Sequence, residues 1–246
     1  MAPQAAPIQN PLEKPCEAEV ARMAEIVERL KSVYPEAFCA LEWGGHAGDA
    51  ANHMEESWKL LIMGRLSAQC TDARVNIVCR ELFEKFPTVE SVADADIPAL
   101  EAIVRPCGLY HTKALNIKDA CRILVDEYNG TVPDDMDALL ALPGVGRKIA
   151  NLLLGDIYKK GGVVTDTHCI RICGRLGFYP EELKDPLKVE RILTPLIPPE
   201  EQSDFCHRIV EFGRDTCMAR SPACEGCPLR DVCKHGKQQE YLSPIG

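Results

Sequence analysis

The chain lacks what would carry it into or across a membrane. Met1 to Pro15 holds Pro, Gln and Asn where a secretory signal would need basic residues followed by an apolar run, and no later stretch approaches the length of a membrane span. A soluble, cytoplasmic protein is the expectation. The pattern of a disulfide scaffold is missing as well: the thirteen cysteines are odd in number, and 246 residues are many for a domain that uses disulfides in place of a core. Metal-binding or catalytic cysteines are the better reading. No run alternates apolar and polar residues with β-branched enrichment, and the one extended candidate, 162–166, is too short to found a sheet. Net positive charge is absent too. The formal charge is −9, which argues against nucleic acid if taken whole, because phosphates are met by Lys and Arg.

What is present weakens that last objection. Residues 1–60 carry five Lys/Arg against ten Asp/Glu, so much of the acidity is N-terminal. Between Leu140 and Pro180 the balance reverses: Arg147, Lys148, Lys159, Lys160, Arg171 and Arg175 face only Asp156 and Asp166, a local +4. A solvated helical surface would look the same. At 46% hydrophobic content the chain can bury a core in one domain or two small ones. Apolar residues Val20, Met23, Val27 and Leu30 follow helical spacing and predict a helix over 17–33. Further helices are predicted from Trp58 and over 72–85, 97–104, 113–128, 135–142, 147–158, 167–176, 188–197 and 204–212, separated by Pro or Gly. The polar stretch 42–56 reads as an exposed loop. The fold class is therefore all-α.

Three motifs carry chemistry. In LPGVGRK, Leu142 to Lys148, Gly144 and Gly146 permit a tight turn between two helices, and the second helix starts with unsatisfied amides and a positive dipole end. Such a helix-hairpin-helix turn can grip a phosphate through Gly144, Val145, Gly146 and Arg147. Lys148 lies just inside that second helix, where the dipole and partial burial would both favour the neutral amine, a nucleophile able to form a Schiff base. A surface lysine facing DNA is the alternative. In TDTHCIRICGRLG, Thr165 to Gly177, Asp166 stands at the N-cap of a helix; capping alone accounts for it, yet a capped carboxylate can also take a proton or balance a sugar cation. His168 beside it reads as a structural partner of the cap. The third motif is Cys217, Cys224, Cys227 and Cys233, a C-x6-C-x2-C-x5-C run. Four thiolates so close suit tetrahedral zinc or an iron-sulfur cube, and the single short pair favours iron without deciding it. Arg214, Arg220, Arg230 and Lys234 around it suggest a stapled loop whose basic side chains reach phosphates. The other nine cysteines read as small buried apolar residues.

With LSAQCTD at Leu66 to Asp72 and GLYHTKA at Gly108 to Ala114 added to these three, the chain resembles the endonuclease III family of helix-hairpin-helix DNA glycosylases over roughly Trp58 to Lys234. The resemblance implies two helical domains with a DNA-binding cleft between them: a six-helix domain over 50–160, and a discontinuous cluster domain from 17–49 and 161–246, after a tail over 1–16. It implies Lys148 as the Schiff-base nucleophile, Asp166 as the essential carboxylate, a [4Fe-4S] cluster on the four cysteines, and Gln69 entering the duplex near the extruded base. Leu142, His168 and Arg220 join the hairpin residues as DNA contacts. The implied activity is a bifunctional DNA glycosylase and AP lyase that removes oxidised pyrimidines from double-stranded DNA, acting as a monomer. Thr165, Cys169 and Cys70 depart from the family pattern beside the pocket; Arg65 interrupts an apolar run and the loop 42–56 is long for the family, and either adds a DNA contact or does nothing. A mismatch-specific glycosylase of the same superfamily is the second reading, although such relatives typically lack a lysine at the position of Lys148. A non-catalytic iron-sulfur DNA-binding module is the third.

Overall fold

The computed structural model describes residues 15–36, 38–43 and 54–242. Most of the tail over 1–16 and of the loop over 42–56 lies outside the described residues. Among those described there are twelve α-helices and no strand: α1 (Glu17–Val33), α2 (Ser57–Leu66), α3 (Asp72–Lys85), α4 (Val89–Ala93), α5 (Ile97–Val104), α6 (Tyr110–Tyr128), α7 (Met136–Ala141), α8 (Arg147–Asp156), α9 (Thr167–Leu176), α10 (Pro186–Leu193), α11 (Pro199–Asp215) and α12 (Lys234–Leu242). None of them is long and apolar enough to cross a membrane.

The chain forms two compact units, one of residues 1–38 with 160–246 and one of 39–159. The sequence puts the corresponding changes of domain at 49/50 and 160/161. What places 39–43 with the second unit is packing and hydrogen bonding: Leu41 and Trp43 are buried, while the Asn76 side chain on α3 accepts from the Glu42 amide at 3.1 Å and donates to the Ala40 carbonyl at 3.0 Å.

In the 39–159 unit α2 is the inner helix. Trp58, Leu60, Leu61, Ile62, Met63 and Leu66 are all buried, so this helix has almost no polar face and stands surrounded by its neighbours. Gly64 lets α8 approach it: a Cβ there would lie 3.2 Å from Ile149. Among the described residues, six helices and the five-residue α4 make up this unit. The predicted helix over 113–128 begins earlier, at Tyr110, directly after Leu109 in the left-handed region.

In the other unit α1 packs against α11 and shares an apolar core with α9 and α10. Met23, Ile26 and Leu30 of α1 share a core with Ile172, Val189, Leu193, Phe205 and Phe212. Helix α10 is displaced from the predicted 188–197. It starts at Pro186, because the Asp185 side chain accepts from the Leu187 and Lys188 amides, and gives way to a 3-10 turn at Thr194–Leu196, where Pro195 supplies no amide for an α-helical bond. Helix α11 is longer than the predicted 204–212, starting on Pro199 with Glu200 and Glu201 in its first turn.

Candidate active site, hairpin and metal centre

The hairpin is built from apolar anchors under an open backbone. Leu142 and Val145 are 3% and 6% exposed, and the Val145 amide donates to the Leu142 carbonyl at 3.1 Å. These two side chains therefore hold the turn, so a DNA contact expected at either would come from its backbone and not from its side chain. Gly144 and Gly146 are exposed. Gly144 has φ +75°, and nothing lies within 4 Å of where a Cβ on Gly146 would stand. Helix α8 starts from Gly146 with no side-chain cap, which leaves its first turn open to an anion from outside. Arg147 and Lys148 are exposed at that turn, while Ile149 to Asp156 are buried. The partial burial expected at Lys148 is absent. An exposed amine in the first turn is instead accessible to a substrate carbon.

Asp166 occupies the N-cap of α9 as the sequence predicts. One carboxylate oxygen accepts from the Cys169 amide at 2.7 Å, the other meets His168 Nδ1 at 3.1 Å, and the side chain retains 17% exposure. The carboxylate is thus fixed by the helix start and still partly open. His168 is spent on orienting it. A Cβ on Gly213 of α11 would lie 2.6 Å from the His168 ring, so α11 also backs this ring.

Gln69 lies outside any helix, in the turn joining α2 to α3, exposed and at φ 56°. Two features around it, at Lys113 and Leu109, escape sequence reasoning, and so do the surroundings of a third, Arg65. Lys113 is 0% exposed, and its Nζ donates to the carbonyls of Leu66 (2.9 Å), Ala68 (2.8 Å) and Cys107 (2.9 Å). One ammonium therefore ties the Gln69 turn to the turn that precedes α6, and burial pulls its pKa below the ordinary lysine range. Leu109, at the apex of that second turn, is 58% exposed with φ 50°. Arg65 lies under Gly144. The only local signals were a lysine inside GLYHTKA and an arginine inside an apolar helix.

The four cysteines line one pocket, open in part to solvent, together with Ile172, Leu176, Phe212 and Leu229. Its donors fit a group held by thiolates. The Leu229 amide points at Cys227 Sγ and the Gly236 amide at Cys233 Sγ, and Arg175 Nη1 at Cys217 Sγ, each at 3.4 Å. Burial pushes the Cys227 thiol up and the Cys233 thiol up to about 11, so a bound cation is what makes thiolates stable here. Arginines fix the surrounding loop. Arg175 donates to the carbonyls of Met218 and Ala219, both at 2.7 Å, and Arg171 to those of Gly213 and Cys217. From α1, Arg22 donates to the Leu176 carbonyl at 2.8 Å and Arg29 to that of Pro228 at 2.9 Å. Arg171 and Arg175 therefore leave the surface charge expected between Leu140 and Pro180, whereas Arg147, Lys148, Lys159 and Lys160 stay exposed. Arg214, Arg220 and Lys234 are exposed as well. Of the other nine cysteines six are buried, Cys39 and Cys70 are half-buried and Cys16 is exposed.

A helix-hairpin-helix turn and a four-cysteine pocket on an all-α chain define a class, the iron-sulfur proteins of base excision repair. Residues 62–199 match the HhH-GPD superfamily of base excision DNA repair proteins, and 217–233 match the iron-sulfur binding domain of endonuclease III. The chain is 39% identical over 213 residues to the endonuclease III of Synechocystis sp., covering 86% of this chain and 91% of that one. It is similar to the solved structure of a trapped endonuclease III-DNA covalent intermediate in its estranged-adenine complex, with a TM-score of 0.77, 39% identity and coverage of 90% and 98%. A thermostable thymine-DNA glycosylase shares the fold, with a TM-score of 0.78 at 20% identity, 90% of this chain and all of that one. The chain belongs to the endonuclease III family, and is a DNA glycosylase and AP lyase of base excision repair with a [4Fe-4S] cluster.

Proposed function

We propose that the chain excises oxidised pyrimidines from duplex DNA with Lys148 as the nucleophile and Asp166 as the assisting carboxylate, in the cytoplasm. The observation that carries this reading is the exposed Lys148 in the first turn of a helix whose start is uncapped and whose hairpin glycines are open. The damaged nucleotide is taken out of the stack. Lys148 Nζ bonds to the sugar C1′ as the glycosidic bond breaks; ring opening and loss of the nitrogen proton give an imine. The imine acidifies the C2′ hydrogen, and its departure with cleavage of the 3′ carbon-oxygen bond cuts the strand. Asp166, fixed by the Cys169 amide and His168, takes up a proton and balances positive charge on the sugar.

Backbone amides of Gly144, Gly146 and Arg147 hold a phosphate next to the lesion, and Arg220 adds a phosphate contact from the cluster loop. Gln69 and the exposed Leu109 probe the base stack, since a polar and an apolar tip presented by one rigid pair of turns suit a gap and a wedge. Cys217, Cys224, Cys227 and Cys233 hold the cluster, which supplies a rigid staple for this loop. The test is a set of labelled duplexes carrying thymine glycol, dihydrouracil or an A·G mismatch, run on a denaturing gel without added alkali. Nicking of the first two and not of the mismatch is expected. Base release from the mismatch with no nick would favour the mismatch glycosylase instead.

A further inference from the structure

Arg65 is out of character for its helix. It stands in the last turn of α2 between Gly64 and Leu66, both buried, and is itself half-buried. Its Nε and Nη2 both donate to one neutral oxygen, Asn116 Oδ1, at 3.1 and 2.9 Å. A guanidinium carries five N-H bonds, so this edge-on contact fixes the group's plane and leaves most of its donors uncommitted. No carboxylate among the described residues pairs with it, and burial lowers its pKa from the ordinary arginine range. The nearby charge has the same sign: Arg65 is close enough to the buried Lys113 ammonium to depress it. A half-buried cation without an anion is costly unless one arrives.

The anion's direction is given by the hairpin. A Cβ on Gly144 would lie 2.5 Å from Arg65 Nε, 2.8 Å from its Cδ and 2.8 Å from Asn116 Oδ1. The guanidinium and its amide partner are therefore seated on the α-carbon of the first hairpin glycine, and a Cβ there would have to displace them. Asn116 holds the planar fork in place, and planar forks match phosphate oxygens. We infer that Arg65 is a DNA-phosphate ligand: fixed by Asn116 and seated against Gly144, it adds a side-chain contact to the phosphate that the hairpin amides hold. This rests on the reading of the hairpin as a DNA contact and adds a residue from a helix outside that motif.

The test uses the full chain with its cluster and a duplex bearing a tetrahydrofuran abasic analogue, which binds without turnover. Affinity is measured over about 50 to 300 mM salt, where each neutralised phosphate contributes about 0.9 to the slope of log K against log salt. Arg65→Gln, which keeps a donor for Asn116 and loses the charge, is expected to flatten the slope by about 0.9, with affinities converging at high salt. Arg65→Lys keeps the wild-type slope. If Arg65→Gln melts well below wild type, Arg65→Leu, suited to the apolar neighbours of α2, provides the same comparison. An unchanged slope in a folded, neutral variant overturns the role of Arg65. A flat slope in the wild type would instead overturn the hairpin reading itself.

Discussion

The hairpin and the cluster loop both meet DNA phosphates in this account, the first through its backbone and the second through Arg220, yet they are held by opposite means. At the hairpin, apolar side chains do the holding: Leu142, Val145 and Ile149 are buried beneath a turn whose glycines and first-turn cations stay outside. The cluster loop has little regular structure beyond a 3-10 turn at Arg230–Val232. Its carbonyls are taken by buried or half-buried arginines, Arg175 and Arg171 from α9 and Arg22 and Arg29 from α1. The difference follows from what each must tolerate. A turn between two helices can bury its own apolar residues, whereas an irregular loop leaves carbonyls unpaired unless donors are brought in. Arginines suit a second need, because four thiolates on a [4Fe-4S] core leave a net charge of about −2.

That contrast can be broken at its strongest point first. Cys227→Ser should remove the visible absorbance of the cluster and lower the stability of the unit containing residues 160–246 by more than about 4 kcal/mol, since loss of a structural metal group is among the most damaging changes. Calorimetry of the purified variant reads this, and an unaltered melt would mean that the arginines hold the loop without the cluster. Next, Arg175→Met removes a side chain that is 9% exposed and serves two carbonyls and a sulfur. A loss of about 3 kcal/mol is expected in denaturant unfolding, because the acceptors stay buried and unpaired.

Gly144→Ala probes the other region. The left-handed backbone costs about 1–2 kcal/mol with a Cβ, and contact with Arg65 adds to it. The melting point should fall by several degrees, and DNA affinity should fall with it; wild-type values for both would show that the turn does not need its glycine. Arg220→Ala is the mildest. Exposed and away from the core, it should leave the melting point unchanged and flatten the salt dependence of DNA binding by about 0.9. A change in stability would reveal a structural role in place of a phosphate contact.

Legibility in the sequence divides along the same line. Local pattern finds what local pattern builds: α1, α3, α5 and α9 start and end where periodicity and caps place them, and Asp166 is found at its cap because DTH precedes an apolar helix. The four cysteines were visible because their spacing is short. Long-range partners were not. Arg171 and Arg175 look like surface charge in a window of forty residues, and only contacts made with residues 213–219 turn them inward. Lys113 likewise finds two of its three acceptors, and Arg65 its acceptor, 45 to 51 residues away. Gln69 and Leu109 take left-handed backbone that no propensity would assign to Gln or Leu.

The central claim is that Lys148 forms a covalent imine with DNA. The most direct measurement incubates the cluster-bearing protein with a duplex containing one oxidised pyrimidine, adds borohydride, and compares wild type with Lys148→Ala on a denaturing protein gel. The account predicts a protein-DNA adduct in the wild type and none in the variant, with the variant still folded and still binding the duplex. Equal trapping by Lys148→Ala, or strand cleavage by the wild type with no trapped adduct, would contradict it.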